Sequence, residues 1–257
     1  MFFEGLVIQR VPYKERDLIV KLVLRSGYLG SFYVYGGQGG GKSSKPSLYQ
    51  LGSLMKVLTK ELRIKTNEQG ELMAVAESQK IWEPEFIRHD IKAFYLSCLY
   101  AELAQRSTLP YHREQSSEEH AGLFSALSNA LFYLDSSLKK KEFEPAPHLM
   151  LYLTKLLFHL GIMPEVDSCS FCGAGLMEAQ DVHFMPEEGH FSCSDCHHGA
   201  RDKGFLLRLK KSYQTKFQDY KELPGATLME SDKLIQFFCH HFHLKTVELK
   251  SYSLLFQ

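Results

Sequence analysis

The sequence predicts an α+β protein, with a small closed β-barrel first and then an α-helical domain into which a four-cysteine zinc knuckle is inserted. Three observations carry this. Residues 1–80 break into short strand-like runs separated by turn residues, the apolar period changes to three and four from residue 90 onward, and Cys169/Cys172 and Cys193/Cys196 form two Cys-x-x-Cys pairs. The domains are expected at 1–80 (barrel) and 81–257 (helical domain, with the zinc segment at 167–199). At 257 residues and 44% hydrophobic, the chain can bury a large core.

The predicted strands are Gly5–Arg10, Asp17–Leu24, Ser31–Tyr35, Ser53–Thr59 with Glu61–Lys65, and Glu71–Glu77. Pro12, Ser26-Gly27, Gly36–Gly41 and Asn67–Gly70 punctuate them. Five or six strands without long helical periods favour a closed barrel, because closure hides strand edges.

Gly36–Ser43 spells G-x-x-x-x-G-K-S, the pattern of a phosphate-binding loop. Such a loop must open a helix, and Ser43-Ser-Lys-Pro46 cannot begin a long one. The favoured reading is a glycine-rich connection between strands, with Lys42 and Lys45 available to a phosphate backbone. Nucleotide hydrolysis through this segment is the less favoured alternative.

The first helix follows Trp82-Glu-Pro84 and places Ile91, Phe94, Cys98, Leu99 and Leu103 along one face. A second carries Leu123, Leu127, Leu131, Leu134 and Leu138. Leu149–Leu160 is apolar on most sides and predicts a central buried helix, ended by Gly161 and Pro164. Leu206, Leu209, Tyr213, Phe217 and Tyr220 predict another helix, stopped by Pro224-Gly225, and Leu234, Ile235, Phe238 and Phe242 a last one. Cys98 and Cys239 fall on apolar faces and read as buried small hydrophobes.

Two residues between cysteines let both sulfurs of a tight turn face one ion, and two such turns supply the four thiolates of a tetrahedral zinc site. Gly173 suits the turn, since positive φ lets amides face the sulfurs. His183, His190, His197 or His198 could stand in for a cysteine. Disulfides would require an oxidising compartment, and no signal-peptide core follows Met1. A cytoplasmic protein is expected, without membrane partners, because no apolar run approaches the roughly 20 residues of a span. A closed four-thiolate site has no open coordination position, so one structural Zn2+ per chain is expected and no catalysis by it.

Basic and acidic residues number thirty each, but they are unevenly placed. Residues 1–80 hold twelve Lys/Arg against seven Asp/Glu, while 81–257 hold eighteen against twenty-three. The basic first unit is therefore the expected docking place for a polyanion.

In order and spacing these segments resemble the RecO family of recombination mediators and DNA repair proteins. The resemblance rests on Gly5-Leu-Val-Ile-Gln-Arg10 through Val20 with Gly27-Tyr-Leu-Gly30. It rests equally on Leu156–Gly161 running through Pro164 into Cys169-Ser-Phe-Cys172-Gly173, and on Phe242-His-Leu244 through Ser251. It implies an OB-fold barrel and a protein that is not an enzyme. It also implies binding of single- and double-stranded DNA, annealing of complementary strands, and work with RecR to load RecA onto strands coated by single-stranded DNA-binding protein (SSB). The SSB tail, acidic and ending in phenylalanine, is expected in an apolar pocket with basic rim residues, for which Arg113, Lys155 and Arg208 are candidates. Arg10, Lys14, Arg16, Lys42, Lys45, Arg63 and Lys65 are the expected phosphate contacts, and Tyr33 and Tyr35 would stack on bases if they point outward rather than into the barrel. The competing reading from another class is a zinc-stabilised protein adaptor that does not touch DNA.

Overall fold

The computed structural model describes residues 1–38, 48–67, 70–112, 120–197 and 201–256, with the backbone alone over 61–67. Lys42, Lys45, Arg113 and His198 lie outside the described residues, as does most of Gly36–Ser43. Packing groups the chain into two compact units, Met1–Lys141 and Glu142–Gln257.

The first unit is built on five strands: β1 (Phe2–Tyr13), β2 (Asp17–Leu24), β3 (Leu29–Val34), β4 (Leu54–Asn67) and β5 (Gly70–Trp82). They close into a barrel in the order β1-β2-β3-β5-β4, the Greek-key closure expected of an OB-fold. β3 and β5 run parallel, and the other pairs are antiparallel. The expected split between Ser53–Thr59 and Glu61–Lys65 is absent, since β4 is one strand whose register shifts against β5 instead. Alternate residues fill the interior: Leu18, Val20, Leu22 and Leu24 from β2, Phe32 and Val34 from β3, Met55 and Val57 from β4, and Met73 and Val75 from β5. In β1 three consecutive residues, Leu6, Val7 and Ile8, are buried, where a bulge interrupts the register between Val7 and Gln9.

α1 (Ile91–Ser107) and α2 (Ala121–Lys139) belong to this unit, packing on each other and on β1. The buried stripe of α1 is Leu96, Leu99, Tyr100 and Leu103, while Ile91 and Phe94 are 66% and 40% exposed and Cys98 is half-buried. Two overlapping apolar stripes share the helical spacing in α1, so periodicity cannot choose between them; packing does. The buried Asp135 of α2 accepts the amides of Phe86 (2.7 Å) and Ile87 (3.0 Å), fixing the chain's entry into the helices. Gly27 has φ +86°, and a Cβ there would stand 1.9 Å from the His120 carbonyl oxygen at the start of α2. Gly27→Ala is expected to destabilise the unit by about 2 kcal/mol, through both backbone strain and overlap, and urea unfolding will measure it.

The second unit centres on α3 (Pro145–His159), buried almost continuously from Pro147 to Leu157. Around it stand α4 (Lys203–Gln214), α5 (Leu228–His241) and a 3-10 segment, Phe217–Glu222, with α6 (Lys250–Leu255) closing the chain. The helix expected to run from Leu206 to Tyr220 stops at Gln214. Thr215 is extended (φ −72°, ψ 136°) and its amide and hydroxyl both bond the Lys211 carbonyl, at 3.0 and 2.9 Å. Phe217 and Tyr220 are still buried, but Tyr213 is 43% exposed. α5 opens on a capping box between Thr227 and Glu230, and Glu230 also takes Arg208 in a bidentate ion pair.

His148 of α3 is 1% exposed, stacked on Tyr220 at 4.3 Å, and neither ring nitrogen has a hydrogen-bond partner among the described residues. Burial pushes its imidazole down to about 4 from the ordinary 6.5. A base that titrates lower when folded contributes stability that is complete above the unfolded value and falls away as pH drops from about 6.5 to about 4. The second unit is expected to lose about 3 kcal/mol over that window. Urea midpoints at pH 7 and pH 4 will check this, with His148→Phe showing a flatter dependence.

Candidate nucleic-acid interface and metal centre

Directly opposed strand residues share a face, so Tyr13 opposite Asp17 and Tyr33 opposite Ile19 stand on the outside of the barrel. Their rings meet edge to face at 5.6 Å, and Tyr33 meets Tyr35 at 4.6 Å. The Lys14 ammonium lies 5.6 Å from the Tyr13 ring and that of Lys60 lies 5.1 Å from the Tyr35 ring. The result is a row, Lys14–Tyr13–Tyr33–Tyr35–Lys60, that runs from the β1–β2 turn past the end of β3 to Lys60 of β4.

Asp17 holds this row in place. Its carboxylate accepts the Tyr33 hydroxyl and the Gly36 amide (2.9 Å), and its carbonyl accepts the Gln38 side chain at 2.7 Å. The Tyr33 hydrogen bond, then that of Gly36, holds the Asp17 carboxyl below the usual carboxylate range, and the same bond to Asp17 pushes the Tyr33 phenol up to about 12. Tyr33 itself is 3% exposed, enclosed by its neighbours rather than by the barrel interior, whereas Tyr35 is 49% exposed.

Of the expected phosphate contacts, Arg10, Lys14 and Arg16 are exposed at the β1–β2 end of the barrel. Lys14 occupies the turn with φ +52°. Arg63 and Lys65 lie in β4 at register with Met73 and Leu72, with their side chains outside the described residues. The sequence reading missed Tyr13 and Lys60. Tyr13 flanks the β1–β2 turn opposite Asp17, and outward-facing aromatics across a turn are the signal that would have found it.

In the second unit, β6 (Val182–Met185) and β7 (His190–Cys193) form a hairpin that delivers Cys193 to the other three cysteines. The four Sγ atoms lie within 4.8 Å of one another, with Cys172 and Cys193 at 3.7 Å. Four sulfurs about 2.3 Å from a tetrahedral zinc would stand about 3.8 Å apart, so the donor set fits that ion. Gly173 takes φ +73° and its amide returns to the Cys169 carbonyl at 2.9 Å. Burial opposes charge on Cys169, but the amides of Cys172, Cys193 and Phe171 outweigh it and bring the thiol down to about 6. Among the described residues none of the six cysteines is in a disulfide, and Cys239 is buried as expected. Among the described residues no histidine joins the cluster: His197 stacks on His183 at 4.7 Å, and His190 pairs with Glu188 at 2.8 Å.

Several contacts fix the knuckle to its own unit, the packing of Phe184 and Phe191 on Phe205 and the following two among them. Gly189 (φ +72°) approaches Phe237 of α5 so closely that a Cβ would stand 2.1 Å from the ring. The Lys203 ammonium donates to three carbonyls, those of Leu176 (2.9 Å), Met177 (2.8 Å) and Ala179 (2.5 Å).

Beside the knuckle is a cleft of about 360 Å³ with an apolar floor of Phe158, Met163, Pro164, Val166 and Tyr213. Lys210 lines it, 2.5 Å from Asp167, and Lys155 reaches across the Tyr213 ring to its carbonyl at 2.6 Å. Burial holds the Lys155 ammonium below the usual lysine range. Arg208, an expected rim charge, is instead committed to Glu230.

The family model for the recombination protein O C terminal matches residues 88–252. The chain belongs to the RecO family. It is similar to the DNA repair protein RecO of Thermodesulfovibrio yellowstonii, 24% identical over 194 residues, covering 75% of this chain and 68% of the relative. It is also similar to RecO of Bacillus cereus and of Bacillus anthracis, each 27% identical over 204 residues and covering 78% of this chain and 71% of the relative. This is therefore a RecO-family DNA repair and recombination protein, from a family of non-enzymatic mediators. No helix among the described residues is long and apolar enough to cross a membrane.

Proposed function

We infer that this RecO-family protein binds single- and double-stranded DNA on its barrel, anneals complementary strands, and with RecR helps load RecA onto SSB-coated strands in the cytoplasm. The observation that carries this is the row of three tyrosines flanked by a lysine at each end. Tyrosine faces stack on bases of any sequence, while Arg10, Lys14, Arg16 and Lys60 neutralise the backbone between them. Annealing then needs no bond chemistry, only screening of the repulsion between two strands. The cleft floored by Phe158 and Tyr213 takes the aromatic end of the acidic SSB tail, with Lys210 exchanging Asp167 for a tail carboxylate and Lys155 beside Tyr213 adding positive charge nearby. Holding the tail raises the concentration of the barrel beside coated DNA. Cys169, Cys172, Cys193 and Cys196 hold one structural Zn2+, which supplies rigidity to the knuckle and takes no part in binding.

The test is annealing of complementary strands coated with SSB, with and without the SSB tail, alongside a salt series of single-strand affinity. About four phosphate contacts give a slope of log affinity against log salt near −3. Absence of a DNA complex even at low salt would leave the adaptor reading in its place.

A further inference from the structure

Tyr35 ends the aromatic row and also walls a groove of about 490 Å³ in the barrel surface, within the roughly 300–1,000 Å³ range of small-ligand sites. Val34, Val75 and Tyr49 form its buried floor, Lys60 edges it, and Glu77 opens into it from β5. The Tyr49 hydroxyl is already donated to Ser78 at 2.7 Å. Glu77 is exposed and has no hydrogen-bond or ion-pair partner among the described residues.

A free carboxylate at the end of a cationic, aromatic row cannot serve a phosphate, because like charges repel. It is an acceptor only, so whatever faces it must donate. Among the parts of a nucleic acid strand, the exocyclic amino groups of cytosine, adenine and guanine do so. In thymine and uracil the one ring N–H sits between two carbonyl oxygens that a carboxylate repels.

We propose that this groove receives one unstacked nucleobase beyond Tyr35 and that Glu77 selects bases bearing an exocyclic amino group. The inference rests on the reading of the barrel as the single-strand binding face. Lys60 then serves the phosphate of the same nucleotide, while the repulsion of Glu77 turns the strand base-first into the groove.

Fluorescence anisotropy of the full chain with two oligonucleotides, dC12 and dU12, at pH 8 and low salt decides it. These probes differ only on the base edge that would face Glu77. Wild-type protein binds dC12 about fivefold or more tightly than dU12, the scale of a charge-assisted base contact. In Glu77→Gln the ratio collapses to within about twofold, chiefly because dU12 binds better once the carboxylate is replaced by an amide that can donate to O4. Equal wild-type affinities, or a preference that persists in Glu77→Gln, would overturn the groove assignment and leave the barrel reading standing. If Glu77 acted only as a general negative charge, the substitution would strengthen both complexes equally, which also overturns it. Failure of both oligonucleotides to bind would remove the barrel reading itself.

Discussion

Cys193→Ser is expected to empty the metal site and unfold the knuckle from Asp167 to His197. Cys193 does more there than supply a sulfur. Its amide donates to the Cys169 sulfur at 3.3 Å, and its carbonyl accepts the amides of Cys196 and His197, both at 3.1 Å. It also ends β7, so the hairpin register depends on it. A serine oxygen is a poor replacement for thiolate toward zinc, and structural zinc is worth about 10–16 kcal/mol in isolated finger peptides. Metal analysis should find about one zinc in the wild type and none in the variant, and limited proteolysis should cut the variant within the knuckle. Single-strand affinity should stay within about twofold, because the cysteines and the aromatic row are in different units. A metal-free variant that resists protease would refute the site.

The double variant Tyr13→Ala/Tyr35→Ala is expected to weaken single-strand binding by about 1,000-fold at low salt. Each base–aromatic stack contributes about 1–3 kcal/mol, and the two rings that bracket Tyr33 are the accessible ones. Stacking releases no counterions, so the salt slope of the variant should match that of the wild type while its intercept falls. Substituting Lys14 and Lys60 with methionine should do the reverse, making the slope shallower by about 1.5. An unchanged affinity in the tyrosine variant would mean that the bases stack elsewhere.

The cysteine spacing was legible because the requirement is local: two residues per turn, twice, whatever joins them. The barrel was legible because turn residues separate its strands and because burial alternates along β2 from Asp17 to Leu22. The hairpin β6–β7 was not read, since each strand has four residues and that is too short for a period to emerge. The stop at Thr215 was missed for a related reason: neither glycine nor proline marks it, and a threonine hydroxyl turned back to Lys211 leaves no compositional trace. The aromatic row was half visible. Phe32, Tyr33 and Val34 read as one apolar run, and only the pairing of β3 with β2 reveals that Tyr33 faces outward beside Tyr13. Lys60 was lost because its importance comes from Tyr35, twenty-five residues earlier in the chain.

Lys203 gathers main-chain oxygens, so its hold on the segment from Leu176 to Ala179 is indifferent to the side chains there. Met177, 46% exposed, can therefore be exchanged for a residue carrying a bio-orthogonal dye without loosening the knuckle. Such a label would sit on the unit that carries the cleft floored by Phe158 and Tyr213, and paired with a donor on an oligonucleotide it would test the proposed capture of coated strands in single-molecule recordings.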